Sequence, residues 1–148
     1  MNQHDFTHSF FVPQAPEEVF ALLLNIPAWW SGIYEETITG ESQQLNDEFS
    51  FLAGGGMHYS RHLLITLEPN ERIAWQVTES KLTFLEEPNE WAGTTLCFDL
   101  APEEKGTRLT FTHEGLVPEI ECYESCTSAW KLYMQQLAAK LNQIEVNK

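Results

Sequence analysis

The last third of the chain constrains the fold most. Two segments in which apolar and polar residues alternate, Gly93–Leu100 and Gly106–Gly115, run into one long amphipathic segment that carries Trp130. Alternation puts one face of each strand in a dry environment and the other in water. Downstream, Tyr123, Cys126, Trp130, Met134, Leu137, Leu141 and Ile144 recur at intervals of three or four, which makes one continuous helical stripe. The spacing predicts a terminal helix from about Ile120 to Ile144. A sheet with one dry face and a helix with one dry stripe must bury them against each other. The surplus of large aromatics on both surfaces predicts a hollow between them.

Upstream, turn residues divide the chain. Asp5–Val12 reads as a first strand, with Phe6, His8, Phe10 and Val12 on one face and Phe11 on the other. Pro13 ends it, because proline cannot donate to a sheet ladder. Ala15–Leu24 reads as a short helix with Pro16 at its first position and Glu17 and Glu18 in its first turn, where the dipole favours negative charge. Pro27–Ser31 is a second helical turn, stopped by Gly32. Strands are predicted near Tyr34–Thr39, Asp47–Ala53, Met57–Leu67, Arg72–Glu79, Thr94–Ala101 and Thr107–Glu114. Between them stand Gly40, Gly54-Gly55-Gly56, Pro69-Asn70, Pro88-Asn89 and Lys105-Gly106, all turn signals. Such short links favour an antiparallel meander. With no repeat and no linker, residues 1–148 read as a single α+β domain.

Charge narrows the partners. Twenty-two acidic against eight basic side chains give a net charge of −14. That surface repels phosphate backbones and anionic bilayers, so neither nucleic acid nor membrane is an expected partner. No stretch approaches the ~20 apolar residues of a membrane span, and no secretory signal is recognisable at the start. Three cysteines, Cys97, Cys122 and Cys126, are a sparse and odd set. The expected compartment is the cytoplasm, with reduced thiols.

The order of strand, two short helices, strands and long helix carries a resemblance. The residues that bear it are Val12-Pro13-Gln14-Ala15-Pro16-Glu17-Glu18-Val19-Phe20, then Trp29-Trp30. Leu67-Glu68-Pro69-Asn70-Glu71-Arg72-Ile73-Ala74-Trp75 follows, then Thr112-His113-Glu114-Gly115-Leu116, and finally Trp130. In these the chain resembles the START-like (SRPBCC) superfamily and, within it, homologues of the heat-shock protein 90 ATPase activator's C-terminal domain. The resemblance implies the helix-grip fold: a curved antiparallel sheet of six to seven strands wraps the terminal helix, and two short helices close one end of a cavity.

Parity nominates the lining of that cavity. Phe98 comes from one strand, Phe111 and His113 from the next, Trp75 and Val77 from a third, and Phe49 and Phe51 from a fourth. The helix faces them with Tyr123, Cys126, Trp130, Tyr133 and Met134, and Trp29 and Trp30 come from the short helices. Such walls suit an apolar, aromatic or lipid-like molecule, though the same side chains could also simply fill a core. His113 either points into the cavity mouth as a polar or acid–base group, or caps the strand end by bonding backbone. His58 and His62 lie opposite Tyr59 and Leu63 and are expected to face solvent.

Other constellations are weaker. Cys122 and Cys126 share a helix face, but zinc needs three or four ligands and no second close pair is present. Neither a metal nor another cofactor is expected. Gly54-Gly55-Gly56 lacks the lysine and hydroxyl of a phosphate loop and reads as a mobile hairpin beside the cavity entrance. Glu90 beside Trp91 could supply a polar group at the rim. Ser31, Ser60, Ser125 and Ser128 have no nucleophile context. The sequence therefore predicts a small-molecule-binding protein without evident catalytic residues. A cyclase- or aromatase-like enzyme and a chaperone-regulating interaction module are the alternatives that the resemblance implies.

Overall fold

A computed structural model describes residues 5–31, 33–83, 85–86, 88–117 and 123–146, with the side chains of the last helix described as far as Leu141. The chain forms β1 (Phe6–Val12), α1 (Pro16–Leu24), α2 (Ile26–Trp29), β2 (Thr37–Gly40) and β3 (Glu48–Ala53). After a short 3-10 turn, Gly54–Gly56, come β4 (His58–Glu68), β5 (Arg72–Leu82), β6 (Thr95–Glu103), β7 (Gly106–Glu114) and α3 (Tyr123–Val146). The predicted beginning of the last helix at Ile120, Cys122, the Ile144 side chain and the Gly32 stop signal lie outside the described residues.

The seven strands form one antiparallel sheet in the order β1-β7-β6-β5-β4-β3-β2. Strands β2 to β7 are the predicted meander, and β1 adds to the free edge of β7, pairing Phe6 with His113 and Val12 with Thr107. The register of β4 against β5 shifts between Arg61 and His62 and again between Leu64 and Thr66. Bulges of this kind bend a strand and increase its twist, which helps the sheet curl around a helix. This is the helix-grip fold. Two element ends depart from expectation. Tyr34 is not in a strand, because the Glu36 carboxylate accepts the backbone N–H groups of Ile33 and Tyr34 and folds that segment into a turn. Strand β5 runs past Glu79 because His58 of β4 pairs with Leu82, whose N–H also reaches the Pro88 carbonyl at 2.7 Å.

The sheet presents its dry face to α3, α1 and α2. From α3, Cys126, Trp130, Tyr133, Met134, Leu137 and Leu141 are buried, a stripe along one face of the helix. From α1, Val19, Phe20 and Leu23 join them. Several buried donors are satisfied where elements meet. Trp29 Nε1 donates to the Leu23 carbonyl at 3.0 Å and Trp75 Nε1 to Ser42 Oγ at 2.8 Å. Gln14 donates to the Leu141 carbonyl and so ties the β1–α1 corner to the far end of α3.

The expectation that His62 faces solvent is overturned. Ser60, His62 and Leu64 are buried on the inner face of β4, while Arg61 and Ile65 point outward. Tyr59 and Leu63 had pulled the inferred apolar face to the wrong side. The inner positions carry a serine and a histidine because Trp30 and Phe49 already supply the apolar bulk there; their rings stand 5.2 and 4.5 Å from the His62 ring. His58, on the same face, is half-buried.

Candidate functional site

Most of the space between sheet and helix is filled. Trp29 meets Phe98 edge-on at 5.4 Å, Phe98 meets Phe111 at 5.0 Å, and Phe111 meets Trp130 at 4.5 Å. Trp75 packs edge-on against Phe98 at 6.0 Å and against Phe49 at 6.4 Å. These centroid distances are those of ordinary aromatic packing. The core stops short where the start of α3 passes the ends of β3 and β4. There a hollow of about 280 Å³ opens between Cys126, Ala129, Trp130 and Tyr133 of α3, Phe51 and Ala53 of β3, and Gly54, Met57 and His58 around the tight turn. Trp30, Tyr34, Trp91 and Ser125 complete its walls.

Local sequence explains the shape. The small Ala129 lies one residue before Trp130, so the helix leaves room beside its largest side chain. Gly54, Gly55 and Gly56 all have positive φ, at 63, 68 and 95°, which lets the chain turn tightly at the mouth without side chains. The glycine run forms a short turn at the edge of the hollow, where the sequence placed it. Trp30 is the floor. It stacks on Phe51 at 4.2 Å with planes 20° apart and leans on Trp130 at 5.1 Å, and only 2% of it is exposed. Trp91 lies parallel to Trp130, within 9°, at 6.0 Å.

Of the predicted lining, Trp30, Phe51, Cys126, Trp130 and Tyr133 border this hollow. Trp29, Phe49, Trp75, Val77, Phe98, Phe111 and Met134 are instead buried in solid core away from it. The cause is the bulk of Trp29 and Trp30, which occupy the grip from the side of the short helices. Tyr123 is half-buried against the same core and does not reach the hollow.

His113 is fully buried and stands at neither the mouth nor a backbone cap. Its Nδ1 accepts the Trp130 indole N–H at 3.1 Å, and its Nε2 lies 2.9 Å from Thr94 Oγ1. Thr94 Oγ1 in turn donates to the Trp91 carbonyl at 2.6 Å. Indole can only donate, so Nδ1 carries no proton, Nε2–H donates to Thr94, and the chain of donors closes without a spare. Burial, reinforced by the nearby His58, holds the His113 pKa down at about 3. This imidazole is a neutral strut between strand and helix.

The histidine on the hollow's wall is His58. Its Nε2 is 3.2 Å from Ser60 Oγ, its ring stands edge-on to Trp91 at 4.7 Å, and burial lowers its pKa to about 4. His62 lies behind Trp30, and neither ring nitrogen has a hydrogen-bond partner. Burial first, then His58, push its pKa down to about 3, with only a weak polar contact from the Phe49 backbone acting the other way. At the opposite wall Tyr133 donates its hydroxyl to Glu36 at 2.5 Å. Burial, and then that bond, raise the Tyr133 pKa, so the phenol keeps its proton.

Parity reasoning missed Tyr34, Ala53, Gly54, Met57, His58, Trp91, Ser125 and Ala129. Half of them come from turns, where strand alternation says nothing. The available signal was Trp91 itself, a large aromatic inside an otherwise turn-forming stretch between Pro88 and Gly93. Among the described residues no three His, Cys, Asp or Glu side chains gather as metal ligands; Cys122 lies outside them.

The family model described as Activator of Hsp90 ATPase homolog 1-like protein matches residues 14–142. No curated protein matches the sequence. Among solved structures, the Aha1 dimer from Colwellia psychrerythraea superposes with a TM-score of 0.73 at 22% identity, covering 93% of this chain and 95% of its own. A protein from Chromobacterium violaceum gives 0.73 at 21% identity, with 95% and 98% covered. A protein from the dynemicin biosynthetic locus gives 0.64 at 12% identity; it covers 95% of this chain, which spans 48% of that one. At such identities these likenesses speak for the fold alone.

Proposed function

The chain belongs to the Activator of Hsp90 ATPase homolog 1-like family, and from that premise we propose that it binds a small apolar or aromatic molecule in the hollow beside Trp30. The observation that carries this reading is the hollow itself: about 280 Å³, walled almost entirely by aromatic and aliphatic side chains. Small-ligand sites are concave, mostly apolar and on the order of 300–1,000 Å³, so it lies just below that range and suits only a small molecule. Burying apolar ligand surface there is favourable by roughly 25 cal/mol per Å².

A binding role is supported over a cyclase-like reaction by the state of the histidines. His113 has both nitrogens committed to Trp130 and Thr94. His58, the histidine on the wall, protonates only near pH 4 and is a feeble base at neutrality. A chaperone-regulating role, suggested by the family's name, is the reading to adopt if no small molecule binds.

The test is a titration with the neutral dye Nile red, followed by its emission and by quenching of tryptophan. Saturable binding is expected, with a rise in melting temperature at saturating dye. Ala129→Phe fills the hollow from a half-buried helix position and should abolish binding while the protein stays folded. A variant that binds as well as the parent would remove the hollow from consideration.

A further inference from the structure

The walls of the hollow carry more information than apolarity. Six of the side chains that border it are aromatic: Trp30, Tyr34, Phe51, Trp91, Trp130 and Tyr133. No lysine or arginine stands among the bordering residues. The wall histidine, His58, is neutral at physiological pH because burial disfavours its charged form. The faces of aromatic rings are the negative ends of their quadrupoles, so a pocket built from them is electrostatically biased before any formal charge is counted.

A formal negative charge stands one ring away. Glu36 Oε2 accepts the Tyr133 hydroxyl, the Tyr34 N–H at 2.9 Å and the Ile33 N–H at 3.2 Å. These donors fix that carboxylate against the Tyr133 hydroxyl and the Tyr34 backbone, and the two tyrosine rings are 6.2 Å apart. A phenol that donates to a carboxylate gains electron density in its ring, which deepens the negative face it presents. The net charge of −14 adds a long-range bias of the same sign.

We propose that the hollow selects a hydrophobic organic cation, an aryl- or alkyl-substituted ammonium, with its charged head at the Tyr34–Tyr133 end beside Glu36 and its apolar part toward Trp91 and Cys126. This rests on the reading that the hollow binds small apolar molecules, and it names which of them. The two ends are separated by seven residues of helix, about 10 Å at 1.5 Å per residue, enough for a head and an aromatic or short-chain tail. The head end is open to solvent at Tyr34, which is 41% exposed, so the ammonium need not shed all its water.

Three probes separate the possibilities: benzyltrimethylammonium, its uncharged isostere 2,2-dimethylpropylbenzene, and the anion 4-tert-butylbenzoate. Binding is followed by tryptophan quenching and calorimetry at low and at high salt. The cation is expected to bind on the order of tenfold more tightly than its isostere, as desolvated cation–π contacts allow, and the anion not to bind measurably. Glu36→Gln keeps an acceptor for Tyr133 and removes the charge. It should reduce the cation's advantage severalfold and leave the neutral probe unchanged. Tyr34→Leu, at a position 41% exposed, should likewise lower the ratio of cation to isostere affinity and serves if the glutamine variant is unstable. Equal affinity for cation and isostere overturns this inference and leaves the apolar-ligand reading standing. So does an undiminished cation preference in both variants. If none of the three probes binds, both readings fall together.

Discussion

The histidines define what single residues do here. His58, His62 and His113 all have pKa values pushed from 6.5 down to about 3 or 4, chiefly by burial. In the unfolded chain they return to about 6.5. Between that value and the folded one the unfolded state binds more protons, so the stability they contribute is complete above pH 6.5 and is lost as pH falls towards 4 for His58 and towards 3 for His62 and His113. Each histidine can steepen the fall by up to about 1.4 kcal/mol per pH unit. Denaturant midpoints measured from pH 7.5 to 5, above most carboxylate titration, should drop accordingly. His62→Leu removes two unpartnered nitrogens and one of those protons, so it should flatten the profile and stabilise the protein more at pH 5 than at pH 7.5. A profile unchanged in that variant would mean that His62 is not buried as a neutral ring. The roles of these residues were only partly legible in sequence. Parity put His113 on the inner face, but its partners are a threonine nineteen residues upstream and a tryptophan seventeen downstream, pairings that no local pattern encodes. His62 was misread because an apolar tyrosine and leucine occupy the outer face of the same strand.

The secondary-structure elements were easier to read, and for a physical reason. Helix α3 packs one stripe, and its spacing of three and four is forced by 3.6 residues per turn whatever lies opposite. Trp130 is the centre of that stripe, 2% exposed and touching Trp30, Trp91, Phe111 and Tyr133. Trp130→Ala is expected to cost about 3–5 kcal/mol of unfolding free energy, at the upper end because it also orphans His113 Nδ1. An unfolding midpoint close to the parent's would show that α3 does not sit in the grip. Phe111→Lys belongs to the same class. Phe111 is fully buried in solid core, so a lysine there is a folding defect rather than a probe of binding. The strand ends were the unreadable part of the elements. Glu36 bonding the two N–H groups just before it removes Tyr34 from β2, and this depends on where one side chain turns.

At the scale of the molecule, the fold followed from element order, while the position of the open space did not. Seven strands and a helix leave room for a cavity anywhere along the grip. Two adjacent tryptophans at its closed end fill most of it and leave the remainder near the Gly54–Gly56 turn. Volume competition among large side chains is a property of the assembled core, so periodicity could not locate it. Among the described residues no helix is long and apolar enough to cross a membrane. The net charge of −14 makes any cationic ligand's association salt-dependent, whereas a neutral ligand's should not be. One consequence is optical. The indoles of Trp91, Trp130 and Trp30 stand at fixed angles with centroids 6.0 and 5.1 Å apart along the series. At such separations their transition dipoles mix, so the folded protein should show an exciton couplet in circular dichroism. Anything that seats against the floor tilts one member of the set, and the couplet would then report occupancy without a label.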